Sequence, residues 1–214
     1  MKLALAFAIA LLVACSREEP ALPSLPPEPV AAASGPSVAF LGDSITAGFE
    51  LRAEEAYPAL VRAQLAQSGK DFRLINAGVS GDTTSGGLRR VDWLLTQKPK
   101  LVVIELGAND GMRGAPLPEI EKNLRAIVDK VRAAGAGVLL LGMRLPPSYG
   151  EPYATDFAAL YDRVAQELTL PYVPFFMQGV AGIAALTQAD GLHPTAEGHA
   201  KLAANVAPAL ARLL

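Results

Sequence analysis

Five short apolar runs, each followed by a stretch of helical periodicity, constrain this chain more than any other feature of its sequence. The runs cover residues 38–41, 72–75, 101–106, 138–141 and 172–175. They are apolar at consecutive rather than alternate positions, and Gly, Asn or Pro bounds most of them. They therefore read as strands buried on both faces, the pattern of a parallel sheet. Residues 54–67, 87–97, 118–134, 153–168 and 196–213 carry the helical spacing, with Pro118 tolerated in a first turn and Gly135 just past an end. Strand–helix alternation repeated five times predicts one three-layer α/β/α domain around a five-stranded parallel sheet, from 37 to 214. In such sheets ligands bind at the carboxyl ends of the strands, so the loops that follow the strands are where chemistry is to be sought.

The first 36 residues do not fit that domain. Lys2 precedes twelve apolar residues, Leu3 to Ala14, and then come Cys15 and the charged Arg17, Glu18 and Glu19. Twelve residues are too few to span a bilayer of about 30 Å, and the run has the length and flanks of a secretory signal. Its end, Leu12-Val13-Ala14-Cys15, resembles the bacterial lipobox. That resemblance implies cleavage after residue 14, diacylglycerol on Cys15 and an exported, membrane-anchored periplasmic lipoprotein. A free thiol in an ordinary signal peptide is the alternative. Residues 15–36 hold six prolines among Ala, Ser and Glu, a composition that favours extended backbone and builds no core. At about 3.1 Å per residue this tether reaches roughly 60 Å.

Four of the loops carry residues suited to chemistry. After the first strand comes Gly42-Asp43-Ser44-Ile45-Thr46-Ala47-Gly48, which sets a serine at the sheet edge beside the amides that open a helix. Thr46 stands where the G-x-S-x-G elbow has its second glycine, so the loop is not that elbow. After the second strand, Asn76-Ala77-Gly78-Val79-Ser80-Gly81-Asp82-Thr83-Thr84 has glycines that let backbone N–H groups approach a ligand. After the third, Gly107-Ala108-Asn109-Asp110-Gly111 offers an Asn amide as a donor. Each of these loops also reads as an ordinary turn or helix cap.

Asp190-Gly191-Leu192-His193-Pro194, just before the last helix, says more. Pro194 holds His193 extended, and a carboxylate three residues upstream can reach the imidazole Nδ1–H, leaving Nε2 for a nucleophile. A capped helix with a surface histidine is the alternative. The second histidine, His199, falls within the last helical stretch and is the poorer candidate for a base. A single cysteine and two histidines are too few for the usual zinc sites, so no metal or other cofactor is expected. A formal charge of −2 with no Lys/Arg-rich run argues against nucleic acid as a partner.

From residue 38 onward the chain resembles the SGNH, or GDSL-type, hydrolases, whose marker residues Ser, Gly, Asn and His stand in separate blocks. All four blocks occur in the family order: Gly42-Asp43-Ser44, Ser80-Gly81-Asp82, Gly107-Ala108-Asn109-Asp110 and Asp190-Gly191-Leu192-His193. Ile75-Asn76-Ala77, Val103-Ile104-Glu105-Leu106-Gly107, Arg144-Leu145-Pro146 with Tyr149-Gly150, and Pro174-Phe175-Phe176-Met177 are similar to the acyl-CoA thioesterase I / lysophospholipase L1 / arylesterase branch. The resemblance implies a flavodoxin-like sheet, Ser44 as nucleophile, His193 as base and Asp190 as its orienter. It also implies an oxyanion hole from Ser44 N–H, Gly81 N–H and the Asn109 side chain. The Pro- and Gly-rich segment 144–153, with Leu145, Pro146 and Tyr149, is expected to wall the acyl chain; a rigid connecting loop is the alternative. The expected activity is hydrolysis of acyl esters or thioesters by a monomer, without cofactor. An O-acetylesterase acting on cell-wall or other carbohydrate, and a non-catalytic acyl-binding lipoprotein, remain as alternatives.

Overall fold

The computed structural model describes residues 35–214, so the expected signal segment, Cys15 and nearly all of the tether lie outside the described residues. Five strands form where the apolar runs stand: β1 (Ser37–Gly42), β2 (Arg73–Gly78), β3 (Leu101–Glu105), β4 (Gly137–Leu141) and β5 (Tyr172–Val173). All pair in parallel, in the order β2-β1-β3-β4-β5. Val38 to Leu41 and Val102 to Ile104 are wholly buried, which is why these two strands read as apolar at every position.

Among the described residues seven α-helices connect the strands or follow the last: α1 (Ser44–Ala47), α2 (Tyr57–Ala66), α3 (Thr84–Leu95), α4 (Ala108–Met112), α5 (Leu117–Ala133), α6 (Glu151–Glu167) and α7 (Ala196–Ala211). α2 packs on α7, and α5 packs on α3 and α6, giving the two helical layers over the sheet. The chain leaves β1 for β2 on one side, then returns to set β3 on the other side of β1. The direction of winding therefore switches between β1 and β3, and the crevice at their carboxyl ends is where such sheets bind ligands.

Several element boundaries differ from expectation for local reasons. The helix expected over 54–67 is divided, with a 3₁₀ turn at Ala53–Glu55 and α2 beginning at Tyr57. Pro58 has no N–H to give to a preceding turn, so it fits only within the first turn of a helix. The strand expected over 172–175 stops at Val173, because Pro174 cannot donate to the ladder. α3 starts three residues before the expected 87, where the Thr83 hydroxyl accepts the Gly86 N–H (3.1 Å) and caps it. Pro152 likewise sits in the first turn of α6, which begins at Glu151. The short helices α1 and α4 carry no periodic signal of their own.

Candidate active site

Ser44 is the first residue of α1, and its position follows from the loop that precedes it. Asp43 caps the helix, its Oδ1 accepting the Ile45 N–H (3.0 Å), and Gly48 ends the helix at φ +76°. The turn holds the serine at the carboxyl edge of β1, with its own N–H at the open end of the helix. Neither Ser44 N–H nor Gly81 N–H donates to an acceptor among the described residues.

The histidine arrives from the far end of the chain. Asp190 Oδ1 accepts the backbone N–H groups of Leu192 (2.8 Å) and His193 (3.0 Å), and its Oδ2 lies 2.5 Å from His193 Nδ1. His193 Nε2 lies 2.8 Å from Ser44 Oγ. The hydrogen bond from the imidazole, followed by those two backbone donors, holds the Asp190 carboxyl down at about 2, so it is anionic at neutral pH. A carboxylate on Nδ1 fixes the proton there and leaves Nε2 free to accept from the serine hydroxyl. Phe49 packs against the imidazole with ring centres 4.3 Å apart and the planes tilted by 31°. Gln188 Nε2 ties the backbone on both sides, donating to the carbonyls of Phe49 (2.9 Å) and Pro194 (3.0 Å). His199, by contrast, is buried in α7 and accepts the Tyr57 N–H on Nδ1 (3.0 Å), away from the serine. Burial, and then the nearby His193, depress it to about 4.

The loops after β2 and β3 are fastened to the serine loop. Asn109 Nδ2 donates to Asp43 Oδ2 (3.1 Å). Asp110 accepts the Thr84 N–H (2.8 Å) and hydroxyl (2.7 Å), joining α4 to the start of α3. Arg90 binds three places at once: Asp82 (2.7 Å), the Ala77 carbonyl (2.6 Å) and the Gly42 carbonyl (2.9 Å). Gly81 takes φ +76°, a conformation glycine adopts without cost, and Arg113 holds its carbonyl (3.1 Å).

A cavity of about 180 Å³ opens beside the serine. Ser44, Asn109 and His193 stand at one side, and Met112, Met143, Met177, Leu145, Pro146 and Tyr149 supply apolar wall. Leu145, Pro146 and Tyr149 are therefore brought to it, together with Met112 and Met143, which no sequence pattern marked. A larger, shallow groove of about 410 Å³ runs along α6 but touches neither the serine nor the histidine. Among the described residues no cluster of His, Cys, Asp and Glu could hold a metal ion.

The model of the GDSL-like Lipase/Acylhydrolase family matches residues 40–201. The chain belongs to this family. Among GDSL-type relatives it is 45% identical over 183 residues to esterase TesA of Pseudomonas aeruginosa, covering 85% of this chain and 91% of that one. It is 41% identical over 164 residues to thioesterase 1/protease 1/lysophospholipase L1 of Escherichia coli K12, covering 76% and 77%. A crystal structure of TesA superposes with a TM-score of 0.80 at 45% identity, covering 83% of this chain and 99% of that one. The GDSL-type resemblance read from four short blocks thus extends over most of the chain, and the fold class with it.

Proposed function

We propose that this chain is a serine esterase that hydrolyses acyl esters or thioesters through an acyl intermediate on Ser44. The observation that carries the proposal is the 2.8 Å approach of His193 Nε2 to Ser44 Oγ, with Asp190 behind the ring. In this reading His193 Nε2 takes the hydroxyl proton as Ser44 Oγ bonds to the acyl carbon. The oxyanion is held by Ser44 N–H, Gly81 N–H and the Asn109 amide. Collapse breaks the bond to the leaving oxygen or sulfur, which receives the proton from His193. Water then attacks the acyl-serine with His193 as base, and the proton returns to Oγ as the acid departs. Labelling by a fluorophosphonate probe tests the assignment. The parent labels and Ser44→Ala does not; equal labelling of both would end it.

The apolar cavity favours acyl chains longer than acetyl, in line with relatives named for aryl ester, thioester and lysophospholipid chemistry. Each methylene it buries contributes about 0.8 kcal/mol, roughly fourfold in kcat/KM. A series of p-nitrophenyl esters is therefore expected to rise in kcat/KM from acetyl until the cavity is filled. Activity confined to acetyl esters would favour the carbohydrate O-acetylesterase instead. Export and lipid anchoring through Cys15 complete the proposal, supported by Leu12-Val13-Ala14-Cys15 and the proline-rich stretch after it. Metabolic incorporation of a fatty-acid probe in the parent and its loss in Cys15→Ser is the check. Incorporation that persists in the variant would overturn the anchor.

A further inference from the structure

Beneath the serine loop lies a pair of carboxyls that this mechanism does not use. Glu105, the last residue of β3, is fully buried and stands in register beside Gly42. Its Oε2 accepts from the Asp43 N–H (3.2 Å) and from the Thr46 hydroxyl (2.7 Å), while Oε1 has no partner among the described residues. A side chain at position 42 would intrude on this contact, with its Cβ 2.6 Å from Glu105 Oε2. Asp43 is buried as well, and with its N–H on Glu105 Oε2 the two carboxyls lie near enough to interact. Both Asp43 oxygens already accept donors, Oδ1 from Ile45 N–H and Oδ2 from Asn109 Nδ2.

The donors decide where the proton goes. Asp43 is supplied with hydrogen bonds suited to an anion. Glu105, if ionised, would hold a bare buried oxygen beside a second carboxylate, an arrangement that burial strongly disfavours. The groups that face the pair are the Thr46 hydroxyl, the buried phenols of Tyr57 and Tyr161, and His193 near Asp43. No Lys or Arg side chain bonds to either carboxyl among the described residues. We propose that Glu105 is a protonated, neutral positioning residue whose O–H donates to Asp43, keeping Asp43 anionic so that it holds the Asn109 amide toward the oxyanion site. Burial pushes Glu105 well above the usual carboxyl range and Asp43 to about 6, so at neutral pH the pair keeps one proton. The amide has two N–H groups. Asp43 takes one and thereby aims the other.

The inference rests on Asn109 acting as an oxyanion donor. Glu105→Gln retains a neutral donor and acceptor of the same shape, whereas Glu105→Leu retains neither. The leucine variant is expected to lose roughly 10²-fold in kcat with little change in KM, the cost of an oxyanion donor misplaced by about 1 Å. Its activity should also fail at higher pH than the parent's on the acid side, because Asp43 loses the donor that favours its ionised form. The glutamine variant should restore the rate to the parent's order of magnitude, with the acid limb back in place. Infrared difference spectra of parent against Glu105→Gln should show the carbonyl stretch of a protonated buried carboxyl at neutral pH in the parent alone. Absence of that band would overturn the proposal, as would a glutamine variant as slow as the leucine one at an unchanged unfolding midpoint. If the leucine variant does not fold, the glutamine variant and the band still decide. If the parent fails to label at Ser44, the catalytic reading falls, while the band still reports whether Glu105 carries its proton.

Discussion

In the proposed mechanism Asn109 serves two acceptors, and this makes it the most informative single residue at the site. One of its amide hydrogens is committed to Asp43 Oδ2 at 3.1 Å, which leaves the other for a ligand. Asn109→Ala is expected to lower kcat by about 10²–10³ with KM little changed, since an oxyanion donor acts mainly in the transition state. Steady-state kinetics on a soluble ester checks this, and a change confined to KM would mean that Asn109 binds the ground state instead. Asp190 and His193 stood out in the sequence by residue type and spacing, whereas Ser44, in a loop that also reads as a plain turn, stood out only through the GDSL-type resemblance. Glu105 did not stand out, although it is the one charged residue in an otherwise apolar run of strand length. A carboxyl at the carboxyl end of a buried strand was the available signal. Phe49 and Gln188 left no such mark, because packing against a ring or bridging two carbonyls requires no particular spacing along the chain.

At the level of elements, the site depends on three loops being held at fixed separations, and α3 does much of this through Arg90. Its guanidinium bonds to the ends of β1 and β2 and to Asp82, the neighbour of Gly81. That contact ties the loop carrying Ser44 to the loop carrying Gly81. Lysine has the charge but not the planar fork that spans three acceptors. Arg90→Lys is therefore expected to lower kcat together with stability, the latter by about 1–3 kcal/mol for carbonyls left without a donor. Paired kinetics and denaturant melts check it. A stability loss with unchanged kcat would show that α3 supports the fold and not the loop geometry. The long amphipathic helices were legible from periodicity. The four- and five-residue helices α1 and α4 were not, since a single turn is too short to show a repeat, and their ends are set by caps and by contacts distant in the chain.

For the whole molecule, acid should act through His199, which pins α7 to the start of α2. Burial holds its folded-state pKa at about 4 against 6.5 for the free side chain. Between those values the unfolded chain takes up a proton that the folded chain refuses, so this residue's contribution to stability shrinks as pH falls. Its full extent is about 3 kcal/mol. Asp43 works in the opposite direction. Raised from 3.8 to about 6, it binds a proton in the folded state first and adds stability as pH falls through that window. The parent's own melting curve mixes the two, so the difference between parent and His199→Gln is the useful quantity. That difference should narrow by about 3 kcal/mol between pH 6.5 and pH 4, and a difference independent of pH would exclude a neutral buried imidazole. Asp190, held at about 2 from 3.8, adds a further loss only below pH 3.8.

Local chemistry was enough to read the strand–helix alternation and the parallel sheet, because each is carried by neighbours or by a short repeat, while the four marker blocks were legible through their resemblance to the GDSL-type family. The strand order, the 2.8 Å meeting of residues 44 and 193, the buried approach of Asp43 to Glu105 and the shape of the cavity beside Ser44 were decided only on folding. Each joins groups tens of residues or more apart along the chain. Their contact comes from burying both faces of one sheet, a free energy that belongs to no single segment.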